Sequence, residues 1–295
     1  MTIRVKVDPT NPGQFFACCG LLELADRLWP GAEGWFEERE FCVRAPVAIP
    51  EPSASTFMKR FASCQLKNTM SAVQLARFEE LSAMKTKDRE KTAGFENEKN
   101  ELDKLRREEP IIFHAPFNLQ IDWFLDDRAG GDRFKTWAGR QSVLDVATAM
   151  KTAMESPVWL TLSPAEWLTQ SQSGCGLPFN FDSNLGGQGS AIDIGFSFDP
   201  LASSAASRIE ATARPCLELL AFVGLQRFRP RQLLNDNRFL YCLWNRPLPP
   251  EIAAPAACGL MPIQGSPSFE FRLLYRTKYL KSFLPAIPFS GDSNE

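Results

Sequence analysis

The chain contains a single histidine, His114, and this count limits the chemistry that its side chains can perform. Zinc sites and Ser-His-Asp catalysis usually depend on histidine, so either would have to be built around this one residue. The densest carboxylate cluster is Asp122, Asp126, Asp127 and Asp132. These residues flank a predicted turn, where aspartate is favoured for its local backbone hydrogen bonds. A small enzyme that uses Asp122, Asp126 and His114 remains one alternative.

Two further motifs resemble catalytic or nucleotide-binding sequences without completing them. The Ser-Gly-Cys-Gly motif at 173–176 offers a cysteine nucleophile, which would need a histidine base. The Gly-rich motif at 185–189 lacks the Lys-Ser/Thr of a phosphate-binding loop. The eight cysteines show no Cys-x-x-Cys spacing and are predicted to be reduced core thiols. We therefore predict no catalytic residues, no metal site and no cofactor.

Basic side chains give the strongest chemical signal. The whole chain carries a net charge of -2, but residues 226–281 contain nine basic and three acidic residues. Guanidinium groups match phosphate geometry, and aromatic faces stack on exposed bases. The sequence Arg-Phe-Arg-Pro-Arg at 227–231 alternates, which predicts three guanidinium groups on one side of an extended segment. The candidate nucleic-acid-binding residues of this stretch are Arg227, Arg229, Arg231, Arg276, Lys278 and Lys281.

A second basic cluster lies at 133–141, where Arg-Phe-Lys-Thr-Trp-Ala-Gly-Arg-Gln leads from a turn into a predicted helix. The unpaired N–H groups of a helix N-terminus attract phosphate, which makes Lys135, Arg140 and Gln141 candidate contacts. Trp137 is predicted to belong to the core. In the Gly-rich loop, Gln188 is a candidate for contacting base edges in a minor groove.

The elements that must position these side chains predict an α+β fold of mixed helices and short antiparallel strands. Strands are predicted at 3–7, 35–43, 119–123, 192–198, 237–244 and 269–273. Helices are predicted at 11–28, 53–66, 140–154 and 202–225. Residues 1–76 and 110–295 are expected to form one compact unit.

Residues 77–109 interrupt this pattern with nine basic and ten acidic residues. Mixed charge at this density is typical of a solvated helix, a helical hairpin or a mobile excursion. We predict a charged insertion, helical or mobile, and a docking arm for a partner subunit is its functional alternative.

The beginning of the chain shows no signal-peptide pattern, because residues 1–8 alternate apolar and charged side chains. The longest apolar run, 15–22, is far shorter than a membrane span. We therefore expect a cytoplasmic protein with no membrane partner.

Three motifs occur together in a recognisable order: Asn-Pro-Gly-Gln-Phe-Phe at 11–16 with Gly-Leu-Leu at 20–22, Lys-Thr-Trp-Ala-Gly-Arg-Gln at 135–141, and the run from Leu220-Ala221 to Arg229-Pro230. In these motifs the chain resembles the large subunit of type I CRISPR effector complexes (Cascade), in the shorter form of subtype I-U, also called I-G. The resemblance covers both ends and the middle of the chain and skips the charged insertion.

The resemblance implies a non-catalytic subunit in antiviral defence. Such a subunit binds the 5′ handle of the guide crRNA and recognises the protospacer-adjacent motif of target double-stranded DNA. It also contacts other Cascade subunits and the helicase-nuclease recruited to the complex. Two alternatives remain open: an RNA-processing or backbone subunit of the same complex, with the glycines at 186–189 as its only hint, and a protein-docking scaffold without nucleic-acid contact.

Overall fold

The structure, a computed structural model, describes residues 2–47, 52–84, 94–125, 133–137, 142–176, 178–186, 212–233, 237–261, 263–276 and 279–290. Its helices are α1 (Pro12–Leu28), α2 (Ala54–Ser63), α3 (Ala72–Ala83), α4 (Phe95–Glu108), α5 (Val143–Ala153), α6 (Ser183–Gly186), α7 (Pro215–Arg227) and α8 (Pro250–Ala257). Its strands are β1 (Thr2–Lys6), β2 (Glu33–Glu37), β3 (Glu40–Arg44), β4 (Leu66–Asn68), β5 (Ile111–Phe113), β6 (Leu119–Ile121), β7 (Gln172–Ser173), β8 (Thr212–Ala213), β9 (Arg231–Leu233), β10 (Arg238–Cys242), β11 (Ser268–Arg276), β12 (Tyr279–Phe283) and β13 (Ile287–Pro288).

The strands form small antiparallel sheets, so the predicted α+β class is confirmed. One sheet has the order β1-β3-β2, and a larger one has the order β12-β11-β10-β9 with β13 beside β11. The free edge of β2 joins the two, because the Phe36 amide donates to the Trp244 carbonyl at 2.8 Å and the Gly34 amide to the Leu248 carbonyl at 2.9 Å. The first and last thirds of the chain are therefore linked by backbone hydrogen bonds.

Helix α1 begins where the sequence predicts. Asn11 caps it by accepting a hydrogen bond from the Gln14 amide, and Pro12 occupies its first turn. The helix is buried on all sides over most of its length, as its continuous apolar composition predicts.

Helices α1 and α7 cross in direct backbone contact. A Cβ atom added to Gly20 would lie 1.9 Å from the Leu220 carbonyl oxygen, and one added to Gly224 would lie 2.0 Å from that of Phe16. Glycine is required at both positions because any side chain would force the helices apart.

An aromatic core surrounds this crossing. The Phe15 ring stacks on Tyr241 of β10 at 4.3 Å between centroids, and Phe16 meets Phe271 of β11 edge to face at 6.1 Å. All four side chains are buried. Aromatic pairs of this geometry add to the energy of apolar burial, so the core ties α1 to the larger sheet.

The described residues of the motifs that carry the Cascade resemblance lie mainly in this core, and residues 138–141 are outside the described part. The Gln14 side chain accepts a hydrogen bond from the Asp8 amide at 2.7 Å, and a Cβ on Gly13 would lie 2.3 Å from the Phe181 carbonyl oxygen. Trp137 is buried, as predicted. These residue types are therefore explained by packing and hydrogen bonding.

The charged insertion is helical where the structure describes it, and its first helix begins at Ala72, earlier than the predicted boundary. Helices α3 and α4 enclose a small core of their own, formed by Met70, Leu81, Phe95 and Leu102. The insertion lies between β4 and β5 in the sequence. These two strands are directly paired, with Asn68 opposite Ile111. The insertion is thus a helical hairpin placed between two hydrogen-bonded strands.

Other boundaries differ from the sequence prediction. The helix predicted at 202–225 begins only at Pro215, because Thr212–Ala213 is a strand and proline favours the first turn of a helix. Residues 202–211 and the predicted strand at 192–198 lie outside the described residues. The helix predicted at 53–66 ends at Ser63 and is followed by β4. No helix in the described part of the chain is both long and apolar enough to cross a membrane.

Replacing Gly20 with alanine is expected to destabilise the protein strongly, because the new methyl group would meet a backbone oxygen that no rotamer change can move. We expect a loss of about 3 kcal/mol or more in the free energy of unfolding, the upper end of the cost of overpacking. The control is Ala76→Gly on the exposed side of α3, where only helix propensity changes, by about 1 kcal/mol. Urea denaturation measures both, and equal losses would contradict the close crossing.

Removing the charged hairpin is expected to leave the rest of the fold intact. A chain in which residues 69–110 are replaced by Asn-Gly joins two directly paired strand positions, which lie about 5 Å apart between Cα atoms. Asn-Gly favours the tight turn that such a connection needs. We expect cooperative thermal unfolding and unchanged near-UV circular dichroism per remaining aromatic residue. Loss of the cooperative transition would show that the hairpin belongs to the main core.

Candidate nucleic-acid interface

One face of the larger sheet packs on the core, and the other carries arginines beside Leu240 and Cys242, which are buried against Gly259. Phe239 and Tyr241 of β10 and Phe271 of β11 point into the core. Since side chains alternate along a strand, the neighbouring positions point outward. Three of these outward positions are arginine: Arg231 in β9, Arg238 in β10 and Arg272 in β11. We call them the sheet-face arginines.

The strand register brings the sheet-face arginines side by side. Arg238 is directly opposite Arg272, and Arg231 is opposite Leu240 on the other side of β10. Among the described strand residues of this face, Glu270 is the acidic one, with its carboxylate 3.6 Å from the Arg238 guanidinium. Like charges directly opposite one another destabilise a sheet. The Glu270 carboxylate already relieves part of that repulsion, and an anion beside Arg272 would relieve more of it.

Arg231 and Arg272 are exposed. Neither guanidinium group makes a hydrogen bond or ion pair with another residue in the part of the chain that the structure describes. Both guanidinium groups are therefore available to a ligand, and their strands lie two inter-strand spacings apart, roughly 10 Å.

Arg227 and Arg229 alternate with buried residues, as predicted, but their guanidinium groups contact other residues of the protein. Arg227 ends α7, and its Nε lies 2.7 Å from the buried carboxylate of Glu23 on α1. Arg229 donates a hydrogen bond to the Trp123 carbonyl at 3.1 Å. Of the three arginines predicted to act together, only Arg231 is a member of the basic sheet face.

Lys135 is half-buried and lies beside aromatic and basic groups. Its Nζ is 5.7 Å from the centroid of the Trp137 ring. Burial lowers the pKa of Lys135, and the nearby Arg107 guanidinium lowers it further, against the opposing effect of Glu108. Lys135 makes no hydrogen bond or ion pair with any other described residue.

The structure does not place Lys135 at a helix N-terminus. Helix α5 begins at Val143, with Ser142 as its cap. Asp145 occupies its first turn and pairs with Arg106 of α4. A carboxylate at that position competes with phosphate. The prediction that Lys135 binds phosphate at the N-terminus of this helix is therefore wrong.

The remaining predicted site residues are described in part or not at all. Arg140, Gln141, Gln188 and Lys278 lie outside the described residues. Arg276 and Lys281 occupy backbone positions in β11 and β12, and their side chains are also outside the described part.

The residues of the alternative enzyme site are not assembled. Asp122 accepts a hydrogen bond from the Gln226 side chain at 3.0 Å. His114 lies at the other end of the β5–β6 hairpin, because Ile111 pairs with Ile121, and the separation is roughly 13 Å at ~3.3 Å per residue. Asp126 is outside the described residues. No group of three or more His, Cys, Asp or Glu among those described could hold a metal ion.

Buried ionisable groups elsewhere are held in hydrogen-bond networks. Burial raises the pKa of Glu218 to about 8, and its carboxylate accepts hydrogen bonds from the Phe181 and Asp182 amides at 3.2 and 3.3 Å. The Asp182 carboxylate accepts from Asn11 Nδ2 and Arg214 Nη1, both at 2.7 Å. These contacts fasten the segment before α6 to α1 and α7.

Cys175 does not resemble an activated nucleophile. Burial raises the pKa of its thiol, and the thiol donates a hydrogen bond to the Gln172 carbonyl at 3.4 Å. A raised pKa disfavours the reactive thiolate.

No protein-family model, curated protein or solved structure matches this chain. Its interpretation therefore depends on its own residues and their arrangement.

Arg238 and Arg272 belong to the basic stretch at 226–281 but are not among the site residues that the sequence predicts. Alternation along each strand predicts which face each arginine occupies. The register that sets Arg238 opposite Arg272 depends on a connection of more than twenty residues, including α8, and no local pattern specifies it.

Substitution is expected to separate binding arginines from structural ones. The double variant Arg231→Gln/Arg272→Gln should weaken binding to all duplexes and lower the slope of log affinity against log salt by ~2, or ~1 for each phosphate that is no longer neutralised. Its melting temperature should not fall, because neither guanidinium group makes a stabilising contact and loss of the Arg272 charge removes its repulsion with Arg238. Arg227→Gln should instead reduce stability by about 1.5–3 kcal/mol, the value of a hydrogen bond to a charged group.

Fluorescence anisotropy across a salt series and thermal unfolding measure the two effects. An unchanged salt slope for the double variant would remove the sheet face from the candidate interface.

Proposed function

We propose that this protein is the non-catalytic large subunit of a type I CRISPR surveillance complex, resembling that of subtype I-U. In this role it binds the 5′-handle end of the guide RNA and recognises the protospacer-adjacent motif of target DNA. The observation that supports the proposal best is the basic sheet face, where Arg231 and Arg272 are exposed without partners among the described residues.

The chemistry of such a subunit agrees with this face. In RNA-guided complexes base pairing reads most of the target sequence, while protein holds the backbone and reads a short motif. Arginines that project from a rigid sheet bind phosphate oxygens without sequence preference and fix the position of the nucleic acid. Motif recognition then needs only a few side chains placed at the base edges, and Gln188 is the sequence-based candidate for that contact.

A backbone or RNA-processing subunit is the second candidate. The order β1-α1-β2-β3 with sheet order β1-β3-β2 is the first half of a ferredoxin-like unit, the fold that such subunits use. In the larger sheet, β10 pairs directly with β11 across the connection that contains α8, which departs from that topology in the described strands. This departure favours the large-subunit proposal.

The proposal is tested by reconstituting the guide-loaded complex with and without this chain and measuring duplex binding by gel shift. We expect the complex that lacks the chain to keep its guide RNA and to lose motif-dependent binding of target duplex. Adding back the purified chain should restore it, whereas the Arg231→Gln/Arg272→Gln variant should restore it only in part. Arg39→Gln, in the turn between β2 and β3, is the matched control, because Arg39 is an exposed arginine whose side chain has no partner among the described residues.

Three other outcomes contradict the proposal. Loss of the guide RNA itself would identify a backbone subunit. Unchanged motif-dependent binding would identify a protein-docking scaffold. Metal-dependent cleavage of DNA by the isolated chain would identify an enzyme.

A further inference from the structure

The exposed side of helix α3 is apolar in its first half and acidic in its second. Leu75, Phe78 and Leu81 pack into the core of the charged hairpin. Helical periodicity places Val73 and Glu80 on the opposite side of the helix, and Val73 is 78% exposed there. We call this side the arm face, and it consists of Val73, Ala76, Glu79 and Glu80.

The arm face carries uncompensated negative charge. Glu80 pairs with Arg77 at 2.8 Å, but Arg77 also pairs with Glu98 at 2.8 Å, so one cation serves two carboxylates. Glu79 is exposed and makes no hydrogen bond or ion pair with another described residue. The acidic part of the face lies about 10 Å from Val73, the rise of seven helical residues.

A second exposed apolar surface lies at the end of α8. The helix ends in a Schellman motif, in which the Leu260 amide donates to the Pro255 carbonyl and the Gly259 amide to the Ala256 carbonyl, both at 3.0 Å. A side chain at the Leu260 position of this motif often packs back on its helix, but Leu260 is 74% exposed. The hydrogen bonds fix the backbone of the turn, which lowers the cost of ordering Leu260 in an interface.

This turn lies against the outer face of the larger sheet. A Cβ atom on Gly259 would lie 3.3 Å from Cys242 Sγ and 3.5 Å from the side chain of Leu240. Arg231 is directly opposite Leu240 on β9, and Arg272 is its diagonal neighbour on β11, about 7–8 Å away. The two exposed guanidinium groups are therefore neighbours of the exposed apolar turn.

The two surfaces are complementary in charge and in apolar content. The arm face offers an apolar side chain beside two carboxylates, and the sheet offers an apolar turn beside two guanidinium groups. Val73 and Leu260 are both exposed within the single chain, so a chain does not dock its own arm face on its own turn. A second copy would supply the missing half of each contact.

We propose that the arm face of one copy docks on the α8 turn and the sheet-face arginines of a second copy of this chain. Val73 then packs against Leu260, while the carboxylates of the arm face bind the exposed guanidinium groups. In a two-fold dimer the arm face of each copy docks on the other, so the contact forms twice. One helix face buries little area, which predicts a weak, salt-sensitive association.

This inference goes beyond the proposed function. It requires only that carboxylates bind the guanidinium groups of Arg231 and Arg272, and it does not require that nucleic acid binds them. It also gives the charged hairpin a role, since α3 supplies the arm face. Where both proposals hold, self-association and nucleic acid compete for the same two arginines.

Sedimentation equilibrium of the full chain tests the docking at about 1–300 µM protein, the range of weak specific association. The arm variant is Glu79→Lys/Glu80→Lys, and the face variant is Arg231→Glu/Arg272→Glu. In a mixture of these two variants, both contacts of a two-fold dimer again join opposite charges. The mixture therefore separates a broken contact from a misfolded chain.

We expect the unmodified chain to exceed the monomer mass at low salt. The association should weaken at least tenfold at about 1 M salt, where the screening length is about 3 Å. Each charge-reversed variant should remain monomeric by itself. The equimolar mixture should associate as the unmodified chain does.

A substitution in the turn tests the apolar part of the contact. Leu260→Asp should weaken the association about tenfold, a usual effect of losing an apolar anchor. The matched control is Leu160→Asp, which changes a leucine that is 51% exposed and belongs to neither surface. The control should associate as the unmodified chain does, and thermal unfolding of each variant checks that it is folded.

A monomer at every concentration would overturn the docking. Association that persists in either charge-reversed variant, a mixture of folded variants that fails to associate, or equal effects of Leu260→Asp and Leu160→Asp would also overturn it. The reconstituted complex judges the proposed function separately. Motif-dependent duplex binding without this chain would refute that function and leave the docking standing, whereas a monomeric chain that the complex requires would do the reverse.

Discussion

The contact between Gly20 and Gly224 is the constraint on which the rest of the structure depends. At this point α1 and α7 touch backbone to backbone, which no residue larger than glycine permits. Because the helices are so close, α1 places Phe15 and Phe16 against the larger sheet. The buried carboxylate of Glu23 in α1 forms an ion pair with Arg227 at the end of α7. This ion pair is a second contact that holds the two helices together.

The basic surface depends on this packing. A sheet that sets Arg238 opposite Arg272 loses stability to charge repulsion, and its other face must offset that loss. The aromatic residues on the core side of β10 and β11 do so, because they bury large apolar area against α1. Glu270 offsets part of that repulsion by pairing with Arg238, while the exposed guanidinium groups of Arg231 and Arg272 remain available to an anion.

The sequence predicted the elements whose signals are local. The cap at Asn11, the core position of Trp137 and the antiparallel strands all follow from residue types and spacing. The features that the sequence did not predict depend on tertiary contacts. From the sequence alone Arg227 is a free cation, whereas in the structure it pairs with Glu23 of α1. The proximity of Arg107 to Lys135 was equally inaccessible, because a charged insertion gives no sign of which part of the core its helix will contact.

The same crossing has a consequence for how the chain is made. Glu23 and Arg227, which close the helix pair, are 204 residues apart in the sequence. At a synthesis rate of ~5–20 residues per second, α7 leaves the ribosome roughly 10–40 s after α1. During that interval β2 can already pack on one side of α1, through Phe36 against Phe15, but the apolar side that α7 covers stays exposed. The nascent protein is therefore a natural client for chaperones that hold apolar helices, and its yield in a cell should depend on them.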